Sequence, residues 1–152
     1  MTAKTISELQ CRNYCPEDSE AVKEIFCSNI PKYFNRSEEA GLREFLSRER
    51  PNYYVLAVGG KILGAGGIAL NDDDTVSLCW GMVHNDHLGT GLGKALTDYR
   101  IAKARTIFGE KPLVIVTSQH TEGFYQKYGF VTVEFTRDGF AAGIDTYKMR
   151  LG

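Results

Sequence analysis

Along the chain the hydrophobic rhythm changes repeatedly, and each change marks an element. KTISELQCRNY, with Ile6 and Leu9 loosely patterned, reads as an extended start, and Pro16 then opens PEDSEAVKEIFCSNI. There Val22, Ile25, Phe26 and Ile30 recur at helical spacing, with acids in the first turn where the helix dipole favours them. Pro31 is expected to end this helix. A second begins at Ser37 in SEEAGLREFLSRER, with Leu42, Phe45 and Leu46 as its apolar side. From Pro51 the rhythm becomes that of strands. YYVLAV, a Gly59-Gly60 turn and KILGAGGIAL predict a hairpin, NDDD a polar turn, and TVSLCWGMV a further strand. Gly64, Gly66 and Gly67 imply a bend, or backbone pressed against another element.

A glycine-rich loop leads into a long helix from about Gly91 to Phe108, and PLVIVTS then reads as an interior strand. HTEGFYQKYG predicts a short helix, capped near Ser118 or Thr121 and ended by Gly129. FVTVEFT and IDTYKMRL are expected to pair as antiparallel strands across an Asp138-Gly139 turn. Strand, two helices, three strands, helix, strand, helix, two strands is the order of a mixed α/β domain of the α+β type. It is expected to span residues 1–152 without repeat or linker.

Composition narrows the partners. At 43% hydrophobic and 24% charged, the 152 residues describe a globular chain. A net charge of −1 supplies no overall field for nucleic acid or an anionic membrane. No apolar run reaches the roughly 18 residues of a membrane span, and MTAKTISELQ lacks an apolar signal core. A cytoplasmic protein is therefore expected. Cys11, Cys15, Cys27 and Cys79 form no CxxC pair, and His84, His87 and His120 lie far from most of them. That spacing argues against a metal and for reduced, mostly buried thiols.

The segment HNDHLGTGLGKAL places glycines at 89, 91 and 93 before a helix. It fails the nucleotide triphosphatase loop, which needs glycine at 88 and a hydroxyl at 95; these are Leu88 and Ala95. It also fails the dinucleotide fingerprint, since the spacing is G-x-G-x-G after an antiparallel meander. What fits is a pyrophosphate cradle made from backbone N–H groups at a helix start.

Two segments carry a family likeness. WGMVHNDHLGTGLGKAL resembles the cofactor-binding segment of the GNAT superfamily of acyl-CoA N-acyltransferases, in which Val-x-Pro and an aromatic precede [QR]-x-x-G-x-[GA]. Val83, His84, Gly91 and Gly93 match; Asn85 replaces the proline, His87 the aromatic and Leu88 the Gln or Arg. SQHTEGFYQKYGF resembles that family's C-terminal N-x-x-A-x-x-x-Y-x-x-x-GF signature, with Tyr125 and Gly129-Phe130 in register. Ser118 takes the asparagine position and Thr121 the alanine position.

The resemblance implies a single domain whose central, mostly antiparallel sheet is splayed in the middle and flanked by four helices. It implies acetyl-CoA as co-substrate and no metal. Met82, Val83 and His84 would meet the pantetheine arm, while Leu88, Gly89, Thr90, Gly91, Leu92, Gly93 and Lys94 would hold the pyrophosphate; Ser118 and Tyr125 would complete the cofactor site. Tyr125 would be the general acid, because a phenol can protonate a departing thiolate. The Val83 N–H would polarise the thioester carbonyl. For the general base His84 and His120 stay open, as does a solvent route. Cys79 and Trp80 read as packing or slot-lining residues rather than as a covalent centre.

The acceptor would be a primary amine, on a small molecule or peptide in the first place, with an amino acid, a peptide N-terminus and a protein lysine all open. It would meet IPKYFNRSEEAGL and residues 135–145; there Tyr33, Phe34, Glu38 and Glu39 could frame a cationic amine, while Phe34 reads equally as a core anchor and both glutamates as an ordinary helix start. A non-catalytic acyl-CoA sensor on the same fold is the alternative. The oligomeric state stays open, a homodimer included.

Overall fold

The computed structural model describes residues 8–48 and 52–152; Ile6 and Pro51 lie outside them. In chain order the elements are β1 (Leu9–Asn13), α1 (Ser19–Ser28), α2 (Glu39–Ser47), β2 (Tyr53–Val58), β3 (Lys61–Leu70), β4 (Val76–Val83), α3 (Leu92–Phe108), β5 (Leu113–Thr117), α4 (Glu122–Gln126), β6 (Val131–Ala141) and β7 (Ile144–Leu151). The seven strands form one sheet in the order β1-β2-β3-β4-β5-β7-β6, antiparallel throughout except for β4 beside β5.

Strand alternation divides the core between the two faces of the sheet. On β2, Tyr53 and Val55 pack with Val22, Ile25 and Phe26 of α1 and Leu42 of α2. Tyr54, turned the other way, packs with Ala104 of α3, Tyr125 of α4, and Phe130. Tyr53, Tyr54, Phe26, Ile25 and Leu42 are all but inaccessible. Each such side chain contributes about 1.5–3 kcal/mol through burial.

The gap that organises the molecule opens in mid-sheet. β4 and β5 pair only at Val76–Leu113, Ser77–Val114 and Leu78–Ile115. Past Leu78, β4 shifts register against β3 between Ala65 and Gly67, and Trp80 takes φ 45°. An inserted residue bends a strand and re-aims its groups. β4 continues along β3 to Val83, while β5 beyond Ile115 keeps β7 as its sole strand partner among the described residues.

Several boundaries differ from expectation for local reasons. Pro16 opens a single 3₁₀ turn, and α1 itself starts at Ser19. It ends at Ser28 rather than at Pro31, because the Asn29 backbone N–H bonds the Phe26 carbonyl and its side chain turns back to the Ile25 carbonyl. Ahead of α2, Asn35 rather than Ser37 is the cap. Its side chain accepts the Ser37 N–H, while Glu38 accepts the Asn35 N–H. The β6–β7 reversal falls at Gly143 (φ 80°), not at Asp138-Gly139, which lies within β6 where the register is irregular. Asp138 instead accepts the Gly143 N–H and so caps the true turn. The burial of the thiols also differs: Cys27 is exposed, and Cys11, Cys15 and Cys79 are half-buried.

Candidate active site

The gap between β4 and β5 forms one continuous cleft of about 670 Å³, bounded by β4, β5, both ends of the α1–α2 connection, and the faces of α3 and α4. One end is built from backbone. Gly91 caps α3 in the left-handed region (φ 88°), Gly89 has φ 77°, and a Cβ at either would meet open space. No side chain caps this helix, so the first-turn N–H groups face outward with the positive end of its dipole. Leu88, Gly89, Gly91, Gly93 and Lys94 line this end. An anion of diphosphate size fits such an opening without a basic patch. Lys94 itself is exposed and pairs with Asp98 at 2.8 Å.

Two side chains within the expected grip point elsewhere. Leu92 is 1% exposed in a core cluster with Leu56, Val58 and Leu63. The Thr90 hydroxyl donates to the His87 carbonyl and so closes the loop on itself. Each shapes the grip from behind and neither lines the cleft.

At the end of β4 the backbone geometry is specific. The His84 N–H donates to the Leu63 carbonyl at 2.8 Å, which leaves Gly64–Val83 as the non-bonded pair of the ladder. The Val83 N–H and carbonyl therefore turn away from β3, toward the side that β5 has left. Asn29 takes the carbonyl at 2.9 Å. Met82 and Val83 both line the cleft.

His84, expected near the thioester, is turned out of the cleft. Its Nδ1 accepts the Asp86 N–H at 3.2 Å, capping the 85–87 turn, and Nε2 lies 3.9 Å from Glu24 on α1. His120 does line the cleft, with its ring edge-on to Tyr33 at 5.5 Å. His87 stands at the glycine end.

Across the gap, Tyr125 is buried on α4 with its ring against Phe124 and Phe130. Its hydroxyl accepts from Arg100 Nη2 at 3.4 Å. The neighbouring Tyr128 is unlike it. Tyr128 donates to Asp98 at 2.8 Å, and burial followed by that carboxylate holds its phenol well above the ordinary range. Ser118 lines the cleft as expected, and its hydroxyl accepts the His120 N–H.

The far end is made of side chains. Trp80 stands between Phe34 and Phe45, and Phe34 against Phe26. Tyr33, Phe34, Glu38, His120 and Phe140 line this end. Burial raises the Glu38 carboxyl above its usual range, only partly offset by the Asn35 N–H. Glu39 faces outward, bonded to Arg36 and Arg43. The β6–β7 tip that carries Phe140 is fastened by Gln119, which donates to the Gly143 carbonyl and accepts the Asp145 N–H.

Sequence reasoning passed over Arg100 and Asn29, both buried and both on the cleft. For Arg100 a signal existed: it falls four residues after Leu96 and four before Ala104, on the inward stripe of α3 where an apolar residue belongs. Among the described residues no group of His, Cys, Asp and Glu is assembled to hold a metal ion. No described helix is long and apolar enough to cross a membrane.

Comparison with known proteins agrees with this architecture. Ard1 of Thermoplasma volcanium superposes with a TM-score of 0.79 at 19% identity, over 95% of this chain and 97% of that one. The ribosomal-protein-S18-alanine N-acetyltransferase of Escherichia coli gives 0.75 at 20%, over 94% and 92%. The Salmonella typhimurium protein yncA, solved with its cofactor acetyl-CoA, gives 0.69 at 20%, also over 94% and 92%. No curated protein matches the sequence. The model of the acetyltransferase (GNAT) domain matches residues 13–152, nearly the whole chain, and with it the protein belongs to the GNAT acetyltransferase family.

Proposed function

We propose that the protein is an acetyl-CoA-dependent N-acetyltransferase that passes the acetyl group directly to a primary amine, with Tyr125 as general acid. The observation that carries this reading is one cleft joining the glycine-rich start of α3, the Val83 end of β4 and the Tyr125 wall. Outward amides at 91–94 suit a diphosphate, and the gap beside Met82 and Val83 suits an extended arm with amide groups of its own. When bound, acetyl-CoA supplies an activated thioester.

This chain's residues then divide the work. The Val83 N–H faces the gap and donates to the carbonyl oxygen as it gains charge. Tyr125 gives its proton to the sulfur that leaves. His120, on the cleft, is the imidazole placed to relieve the amine of its proton; His84 is not. Glu38 among Tyr33, Phe34 and Phe140 offers a carboxylate in an aromatic frame, a setting for a cationic amine before it loses its proton.

A sensor that only binds acyl-CoA needs the glycine end alone. A buried phenol at the other wall of the same gap favours transfer. The two part in one assay: thiol release from acetyl-CoA across a panel of amino acids, polyamines, aminoglycosides and short peptides, with the product mass checked for one added acetyl group. Amine-dependent release with acetylated product is expected. Tight acetyl-CoA binding with no amine-dependent release across the panel would establish the sensor instead.

A further inference from the structure

Arg100 is a cation without a counter-ion. It is 1% exposed, and no carboxylate among the described residues bonds it. Nε and Nη1 have no hydrogen-bond partner, and Nη2 makes one bond, to the Tyr125 hydroxyl at 3.4 Å. The place for it is cleared on two adjacent strands. A Cβ at Gly81 would stand 2.7 Å from Nη2 and 2.8 Å from Nη1, and one at Gly66 would stand 3.1 Å from Nε. The Tyr53 hydroxyl donates to the Trp80 carbonyl at 3.0 Å, and no bond joins it to the guanidinium.

A guanidinium stays charged in any protein setting, and taking it out of water unpaired is destabilising. An apolar residue on this stripe of α3 would pack without that cost. The place of Arg100 against the Tyr125 phenol, at the wall of the gap, is explained by charge that appears only during reaction.

We propose that Arg100 is a positioning residue for Tyr125, holding the phenol toward the gap and facing its oxygen with a fixed positive charge. The proposal rests on the reading of Tyr125 as general acid. As the amine nitrogen bonds to the carbonyl carbon, the C–S bond breaks and its electron pair goes to sulfur. The Tyr125 O–H proton passes to that sulfur and leaves a phenolate facing Nη2. The phenolate is neutral again once it takes, through solvent, the proton released by the amine nitrogen. A preorganised charge at that oxygen favours the step without reorganising during it.

The test compares Arg100→Met, Arg100→Lys, Tyr125→Phe and the Arg100→Met/Tyr125→Phe double variant. It measures thiol release from acetyl-CoA with the best amine of the panel, or with water where no amine is accepted, together with acetyl-CoA affinity and Tm. Arg100→Met is expected to lower kcat by about 10- to 100-fold with affinity within about twofold. Its Tm should equal or exceed that of the parent, since an unpaired buried charge is removed. Lysine should recover a substantial part of the loss, and adding Arg100→Met to Tyr125→Phe should change kcat by less than about twofold. A fall in Tm together with lost acetyl-CoA affinity would mark Arg100 as a packing residue and overturn the proposal, as would an unchanged kcat. A slow Tyr125→Phe chain in which Arg100→Met adds its full separate effect would sink this proposal alone. Parental kcat in Tyr125→Phe would sink the general-acid reading and this proposal with it.

Discussion

The two ends of the cleft are made of different material. The glycine end presents main chain: outward amides at the start of α3, held open by Gly89 and Gly91 in conformations that side chains resist. The far end presents side chains from the α1–α2 connection, the loop between β5 and α4, and the β6–β7 tip, among them Tyr33, Glu38, His120 and Phe140. A backbone grip suits a donor whose diphosphate never changes. A side-chain frame suits an acceptor, because substitutions there reshape it without disturbing the sheet. Tyr125 and Arg100 stand between the two, where the proposed donor and acceptor would meet.

Breaking the middle should have the largest effect. Tyr125→Phe keeps the ring contacts with Phe124 and Phe130 and removes the hydroxyl. It is expected to lower kcat by about 100-fold or more while acetyl-CoA affinity, measured by calorimetry, moves less than about twofold. Damage at the glycine end should show in binding instead. Gly91→Val has room in the free protein but must adopt φ 88° and set a branched side chain where the anion approaches. An affinity loss for acetyl-CoA of about tenfold or more is expected, with little change in kcat at saturation. Equal loss of kcat would deny the division of labour.

The far end should yield a smaller, opposite signature. Glu38→Gln preserves an oxygen for the Asn35 N–H while removing charge. It should raise KM for a cationic amine by roughly three- to tenfold and leave acetyl-CoA binding alone. Because burial raises the Glu38 carboxyl, acid should neutralise it earlier than an ordinary glutamate and weaken amine binding first.

Asp18 is the control outside the cleft. Bonds from Arg12, then from the Cys15 N–H, outweigh its burial and hold its carboxyl down to about 2. Folding lowers this carboxyl, so its stabilisation is complete above its unfolded value and is lost as pH falls toward 2. With Arg12 partly exposed, Asp18→Asn should cost about 1–2 kcal/mol in urea unfolding at neutral pH, flatten the acid limb and leave kcat unchanged.

The same contrast explains what the sequence disclosed. Element order was legible throughout, since each strand and helix carries its own period. The glycine end was legible because a left-handed cap before a helix demands particular residues at particular spacing, and Gly91 supplies one. His84 was not placed correctly, because strand alternation cannot be counted across the irregularity at Trp80. The β6–β7 turn was missed because Asp138-Gly139 is a good turn pair used here inside a strand, its carboxylate capping Gly143. The side chains of Thr90 and Leu92 lie within the motif yet point away from the cleft, which a motif built on backbone amides does not encode. Arg100 was overlooked because a charged residue on an amphipathic helix is ordinarily solvated. Only its place on the inward stripe, opposite Gly66 and Gly81, marks it as buried.

A crystal structure of the chain with coenzyme A tests the central division most directly. The diphosphate is expected on the backbone amides of 91–94, the pantetheine arm along Met82 and Val83, and the sulfur within about 3.5 Å of the Tyr125 hydroxyl. A diphosphate seated elsewhere, or a sulfur out of hydrogen-bond reach of Tyr125, would contradict the account.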